Sequence, residues 1–258
     1  MRAGPSLALA LVLFAPALAR AQGLADAPRT IERVKASVVA VGSFQRTRSP
    51  AFRFLGTGFA VGDGVTIATN AHVLPATLDA EKLETIAILV PGPGRTAQVR
   101  PAVRGATDPA HDLALLRVEG APLPALAVRD SDGVREGEAV LFTGFPIGNV
   151  LGPYPATHRG MIAAITPIAI PPPSSSQLDT RAIRQLASGA FPVFQLDATA
   201  YPGNSGSPVY APATGEVIGV VNMVFVKGSK ESALTQPSGI TYAIPSRHLV
   251  ELMKQGAR

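Results

Sequence analysis

Tyr201-Pro202-Gly203-Asn204-Ser205-Gly206-Ser207-Pro208 sets one serine among residues that leave the backbone free to turn. It lies late in a chain of 258 residues that is otherwise rich in short β-type runs. Pro202 and Gly206 suit a sharp turn around Ser205, and Gly203 has no side chain to block its N–H. Asn-Ser-Gly is equally good chemistry for an ordinary surface turn, and this stretch alone leaves both readings open. Two upstream stretches narrow it: Thr69-Asn70-Ala71-His72-Val73-Leu74 and Asp108-Pro109-Ala110-His111-Asp112-Leu113-Ala114-Leu115-Leu116.

A serine hydroxyl is a weak nucleophile near neutrality. It needs an adjacent base that can later protonate the leaving group. Histidine suits both steps, because its ordinary pKa lies near about 6.5. A carboxylate is then needed to fix the imidazole tautomer and to stabilise the imidazolium. Ser205 is read as the nucleophile, His72 as the base and Asp112 as the orienting acid. An oxyanion needs aimed donors, each worth roughly 2.7–4 kcal/mol when removed. The segment Gly203, Asn204, Ser205 is assigned to that hole, with the N–H groups of Gly203 and Ser205 as donors.

Each residue also has a bland reading. A histidine at a strand end is commonly a loop residue, and an aspartate before an apolar strand is commonly a turn or cap residue. The three in combination favour chemistry. The remaining candidates are weaker. Asp108 precedes a proline and reads as a turn, and His111 adjoins Asp112, so on an extended chain the two side chains diverge. His158 falls near a strand start, His248 in a terminal helix, and Asp197 is read as a brace for the serine loop. The elbow Gly-x-Ser-x-Gly of another hydrolase fold is missing, because Ser207 takes its last place. No cluster has metal-ligand spacing and no phosphate-binding loop follows a strand, so neither metal nor cofactor is expected.

Around these residues the pattern is one of short strands. Residues 28–36 form a short helix with Ile31 and Val34 on one face. Strands are expected at Ser37–Phe44, Gly56–Val61, Gly64–Thr69, Ile86–Val90, Gln98–Val103 and Leu113–Val118. An Ala/Pro/Leu-rich linker over 119–127 precedes a second series at Ala139–Phe142, Met161–Ile165, Val193–Leu196, Pro208–Tyr210, Val217–Val224 and Ile240–Ala243. Such spacing describes barrels or sandwiches. Ser246 is expected to cap a last helix over 246–255, with Leu249, Leu252 and Met253 on its apolar face. Residues 166–190, with Pro171-Pro172-Pro173-Ser174-Ser175-Ser176, read as a long mobile loop.

The first residues read as a secretion signal over 1–21: Arg2, an apolar run from Leu7 to Leu18, then Ala19-Arg20-Ala21. That run is too short to span a bilayer, which takes roughly 20 residues. The folded unit is then 22–258, exported, with no membrane association after the signal is removed. The chain has 0 cysteines, so an exported fold must hold by core burial, and a cysteine nucleophile is excluded. The formal charge is only +5, and Arg2 and Arg20 of the signal supply part of it. The other cations are scattered and no basic cluster interleaves with aromatics, so nucleic acid is not an expected partner.

The motifs together resemble the HtrA- or Deg-type bacterial serine proteases of the chymotrypsin-like clan. The order His72, Asp112, Ser205 is that clan's order. Further matching stretches are Gly56-Thr57-Gly58-Phe59, Gly144-Phe145-Pro146-Ile147-Gly148, Gln195-Leu196-Asp197-Ala198, Gly219 and Ser238 to Pro245. The resemblance covers residues 30–250 and implies an all-β fold of two six-stranded antiparallel β-barrels with a short C-terminal helix. The barrels are expected over about 37–120 and 135–245, with the site between them. The resemblance implies a serine endopeptidase acting on unfolded or flexible polypeptides, in a bacterial periplasm or secreted, as a monomer or homotrimer. The chain is expected to depart from the family in having a protease domain with no PDZ domain after residue 250, where the family commonly has one or two. The resemblance also places Thr199 at the base of a substrate pocket and Val220, Val221, Asn222 and Met223 on its wall, which favours small or medium aliphatic side chains. Asn204 stands where digestive relatives carry an aspartate that pairs with a new amino terminus, so no clipping beyond signal removal is expected. The alternative reading is a catalytically silent binding protein on the same fold.

Overall fold

The computed structural model describes residues 26–92, 96–148, 152, 154–168, 191–222 and 239–256. The signal expected over 1–21, the pocket residue Met223, and the loop expected over 166–190 from residue 169 onward lie outside the described residues. Residues 166–168 instead end a strand, Ala156–Ile168.

A short helix, α1 (Ala27–Lys35), precedes six strands: β1 (Val38–Phe44), β2 (Phe52–Val61), β3 (Thr66–Asn70), β4 (Thr85–Pro91), β5 (Ala97–Asp108) and β6 (Leu113–Val118). They close into an antiparallel barrel in the order β1-β2-β3-β6-β5-β4. The second barrel comprises β7 (Ala139–Gly144), β8 (Ala156–Ile168), β9 (Phe191–Asp197), β10 (Pro208–Tyr210), β11 (Val217–Asn222) and β12 (Ile240–Pro245), in the order β10-β11-β12-β9-β8-β7. Helix α2 (Ser246–Gly256) ends the described chain. Closure into two six-stranded barrels decides between the barrel and sandwich readings.

Period-two alternation explains why so many strands read as unbroken apolar runs. In β1, Val39 and Val41 fill the first barrel, while Val38 and Ala40 point outward into a third core between the barrels. In β6, Ala114 and Leu116 face inward, and Leu113 and Leu115 face that interface. In β11, Val221 packs inside the second barrel and Val220 joins the interface. On these stretches both faces are covered, so the apolar run is unbroken, whereas β5 turns much of its length to solvent.

The two helices strap the barrels together. Helix α1 leads into the first barrel but is bonded to the second: Thr30 and Arg33 donate to the carbonyls of Ala213 and Thr214, at 3.4 and 2.6 Å. Helix α2 follows the second barrel and packs on β5 and β6 of the first. Ser246 is not its cap as expected, because its hydroxyl donates to the Arg129 carbonyl at 2.5 Å. The cap comes from the segment before β7, where Ser131 Oγ accepts from Arg247 N at 3.1 Å. Three strands run at least four residues longer than their sequence pattern: β2 begins at Phe52, β8 at Ala156, and β5 continues to Asp108 through a bulge between Arg104 and Thr107.

Candidate active site

The site is built where the ends of β3, β6 and β11 meet the turn before β10. The chain leaves β3 at Asn70 and coils into one 3₁₀ turn, Ala71–Val73, which carries His72. Asp112, immediately before β6, has φ +53. That is the left-handed region, which aspartate tolerates at some cost. Its backbone is tied down there, since its carbonyl accepts from Ala71 N at 3.0 Å and Asn70 Nδ2 at 3.1 Å. The side chain then reaches back to the histidine. Asp112 Oδ1 accepts from His72 N at 2.9 Å, and Oδ2 lies 2.6 Å from His72 Nδ1. Asn222 Nδ2 donates to the same Oδ2 at 2.7 Å. Burial alone would raise the Asp112 carboxyl. The hydrogen bond and charge of His72, with the Asn222 amide, outweigh burial and hold it below the ordinary carboxylate range.

Ser205 is 6% exposed and is held against the first barrel by its own carbonyl, which accepts from Thr57 N at 2.8 Å. Gly56 sits between the two barrels' contributions. A side chain there would run into Val73, next to His72, and into the Ser205 carbonyl. The turn is anchored behind the serine, where Gly206 N donates to Val221 O at 3.0 Å. Ahead of it, Gly203 has φ +104, and a Cβ there would strike the Phe145 carbonyl and the Phe54 ring. Thr57 Oγ1 donates to Gly203 O at 2.7 Å and accepts from Phe145 N at 3.1 Å. Ile147 N donates to Pro202 O at 2.8 Å. A trans peptide points its C=O and N–H in opposite directions, so this bond turns the Gly203 N–H away from Ile147. Among the described residues, neither Gly203 N nor Ser205 N has an acceptor in the protein. Asn204 N does, donating to Tyr201 O at 2.9 Å.

A family profile for the trypsin-like peptidase domain matches residues 56–220, a span that holds His72, Asp112 and Ser205. The chain belongs to the trypsin-like peptidases. It is 28% identical over 207 residues to a "Probable periplasmic serine endoprotease DegP-like" of Marinomonas sp. (strain MWYL1), covering 78% of this chain and 35% of that protein. It is 32% identical over 204 residues to "Serine protease HTRA2, mitochondrial" of Bos taurus, covering 79% and 36%. The chain thus spans about a third of the length of the curated relatives it matches. In fold it is similar to the crystal structure of Deg5, with TM-score 0.60, 23% identity and coverage of 87% of this chain and 90% of that one. It is also similar to the HtrA-type protease AlgW with decapeptide, at TM-score 0.63, 23% identity and coverage of 88% and 66%.

In this trypsin-like peptidase the residues expected to wall a substrate pocket are placed otherwise. Val220 and Val221 are both 0% exposed, one in the interface core and one inside the second barrel. Asn222 is also 0% exposed and serves Asp112. Strand alternation with both faces covered leaves none of the three open to a cleft, so they no longer support an aliphatic preference. Thr199 is half-buried beyond the end of β9. Asp197 is exposed within β9, paired with Ile240 of β12. Asn204 is 0% exposed, with its N–H spent on Tyr201, so that N–H is not available as a donor to a ligand.

Asp108 closes a turn as expected, but sequence reasoning missed the bond from Asn222 to Asp112 and the Ile147–Pro202 bond. The first had a signal, Asn222 being a lone amide ending an otherwise apolar strand. His158 stacks on Phe142 at 4.8 Å, and burial lowers its pKa. His111 bonds Asp108 Oδ2 through Nδ1 at 2.6 Å, and the chain here is a turn rather than the extended chain on which the His111 and Asp112 side chains were expected to diverge.

Proposed function

We propose that the chain is a serine endopeptidase in which Ser205 is the nucleophile, His72 the general base and Asp112 its orienting acid. The observation that carries this reading is the 2.6 Å bond between His72 Nδ1 and Asp112 Oδ2. With Nδ1–H committed to the carboxylate, Nε2 is left as the basic nitrogen. In acylation Ser205 Oγ bonds to the scissile carbonyl carbon, and its proton passes to His72 Nε2. The carbonyl oxygen becomes an oxyanion received by the N–H groups of Gly203 and Ser205, which the Ile147–Pro202 bond supports. As the C–N bond breaks, the proton moves from Nε2 to the departing amine. A water molecule then repeats the sequence on the acyl-enzyme and frees Ser205.

The relatives named periplasmic serine endoproteases support a polypeptide substrate and export, and Arg2 followed by the apolar run Leu7 to Leu18 supports residues 1–21 as a leader. An unfolded segment is the fitting substrate, because an extended chain can lie along a strand edge beside the serine. Turnover falls on acidification, since an imidazolium has no lone pair to accept the Ser205 proton.

Incubation with an unfolded protein, with new termini read by mass spectrometry, tests this. Ser205→Ala and His72→Ala should each cut turnover by about 10⁴-fold or more, with thermal unfolding unchanged. Cleavage that persists undiminished in Ser205→Ala would assign the nucleophile to another residue.

A further inference from the structure

Asp112 is reached from a second side that the mechanism does not use. The turn before it is closed by Asp108, whose Oδ1 accepts from Ala110 N and His111 N at 3.1 and 3.2 Å and whose Oδ2 holds His111 Nδ1 at 2.6 Å. The His111 ring lies flat on that of His248, with centroids 3.7 Å apart and planes 18° apart. The edge of Phe191 closes on both rings, at 4.6 Å from His111 and 5.3 Å from His248. His248 belongs to helix α2, and Phe191 starts β9. Arg247 anchors that helix turn to the segment before β7, donating its N–H to Ser131 and pairing with Asp132 at 3.1 Å. Its Nε also donates to His248 Nε2 at 3.3 Å.

We infer that His111 and His248 are positioning residues: their stacked rings, closed by Phe191, clasp the Asp108–Asp112 turn to the C-terminal helix and hold Asp112 in the left-handed conformation that aims its carboxylate at His72. The need for a clasp follows from the backbone. A φ of +53 at a non-glycine residue persists only where its surroundings over-determine it. The bonds from Asn70 and Ala71 fix the carbonyl end of Asp112, and the ring stack fixes its amino end. The turn belongs to the first barrel and both ring partners to second-barrel segments, so the clasp also ties the acid to the part of the chain that carries Ser205.

The inference rests on the proposed triad, and the test separates the two. In the full chain, the downfield proton resonance of the His72–Asp112 bond is recorded together with kcat and KM on a peptide substrate. His248→Ala should lower kcat about ten- to hundredfold, the scale of a catalytic group displaced by up to an ångström, with KM within about twofold. It should also shift or broaden the resonance. His248→Phe keeps a flat ring against His111 and should restore both readouts. His111→Ala, on the outer side of the stack, should repeat the loss and serves if His248→Ala fails to fold. An unchanged kcat and resonance in the alanine variants, or a phenylalanine variant as impaired as alanine, would overturn the clasp. A wild-type chain with the resonance but no turnover would instead count against the proposed function.

Discussion

Asn222 shows how much of this site depends on one side chain. It supplies a charge-assisted donor to Asp112 Oδ2 from within a strand that is otherwise Val, Ile and Gly. Asn222→Ala leaves the carboxylate short of a partner, a loss of roughly 1.5–3 kcal/mol for a hydrogen bond to a charged group. We expect kcat to fall about tenfold or more with KM little changed. Asn222→Asp should be worse, because it sets a second carboxylate beside the first and raises the pKa of the pair. Steady-state kinetics of the two variants checks the order, and equal rates would detach Asn222 from the acid. At this scale, the His72–Asp112 bond was legible, because an imidazole base calls for a carboxylate on Nδ1. The left-handed backbone of Asp112 was not legible, since it is imposed by donors from Asn70 and Ala71, a β3 and 3₁₀-turn pair more than forty positions upstream in the fold's register. Nor was the pocket wall. Runs such as Val220-Val221 look alike whether they line a cleft or fill two cores, and only closure of the barrels decides.

Between residues and fold, two segments carry predictions. The loop after β7 holds Ile147 at φ +49, an outlier for a β-branched residue, while its N–H holds the Pro202 carbonyl. Ile147→Gly keeps the N–H and relaxes the backbone, so it should retain activity with equal or higher thermal stability. Ile147→Pro removes the donor and, with its ring fixing φ near about −65°, also forces the backbone out of its left-handed conformation, so it should lower kcat by about 10²-fold or more. Comparable kcat in both variants would mean that the bond does not aim Gly203. In helix α2, burial first, then the charges of His111 and Arg247, push His248 down to about 4, against the raising influence of Asp108 and Asp132. A depressed histidine gives stability that is full above its ordinary value near 6.5 and is lost as pH falls toward about 4. Urea unfolding at a series of pH values should show this loss in wild type and a smaller one in His248→Phe, and parallel curves would contradict it. The elements themselves were largely legible, because apolar runs and Gly-containing turns mark them. Their extra length was not: Phe52–Leu55 and Arg104–Asp108 are drawn into β2 and β5 by pairing across register shifts, which leave no periodic trace.

Taken whole, the molecule is two barrels fused by a third core, with helices exchanged so that each straps the opposite barrel. With 0 cysteines, this burial does the work that disulfides do in many exported domains. The repeated strands were legible as β structure. Strand spacing alone did not say which of two all-β architectures they form, because closure depends on pairings such as β1 with β4 that lie far apart in sequence; the family resemblance supplied the two six-stranded barrels that are found. His72 and Asp112 belong to one barrel and Ser205 to the other, and the central claim is that these act as one nucleophilic unit. Phosphonylation of the folded chain by a fluorophosphonate tests it most directly, with the modified residue located by intact mass and peptide mapping. The account predicts one phosphonyl group per chain on Ser205, none in Ser205→Ala and sharply slowed uptake in His72→Ala. A folded chain with the circular dichroism of a β protein that takes up no label, or takes it elsewhere than Ser205, would contradict it.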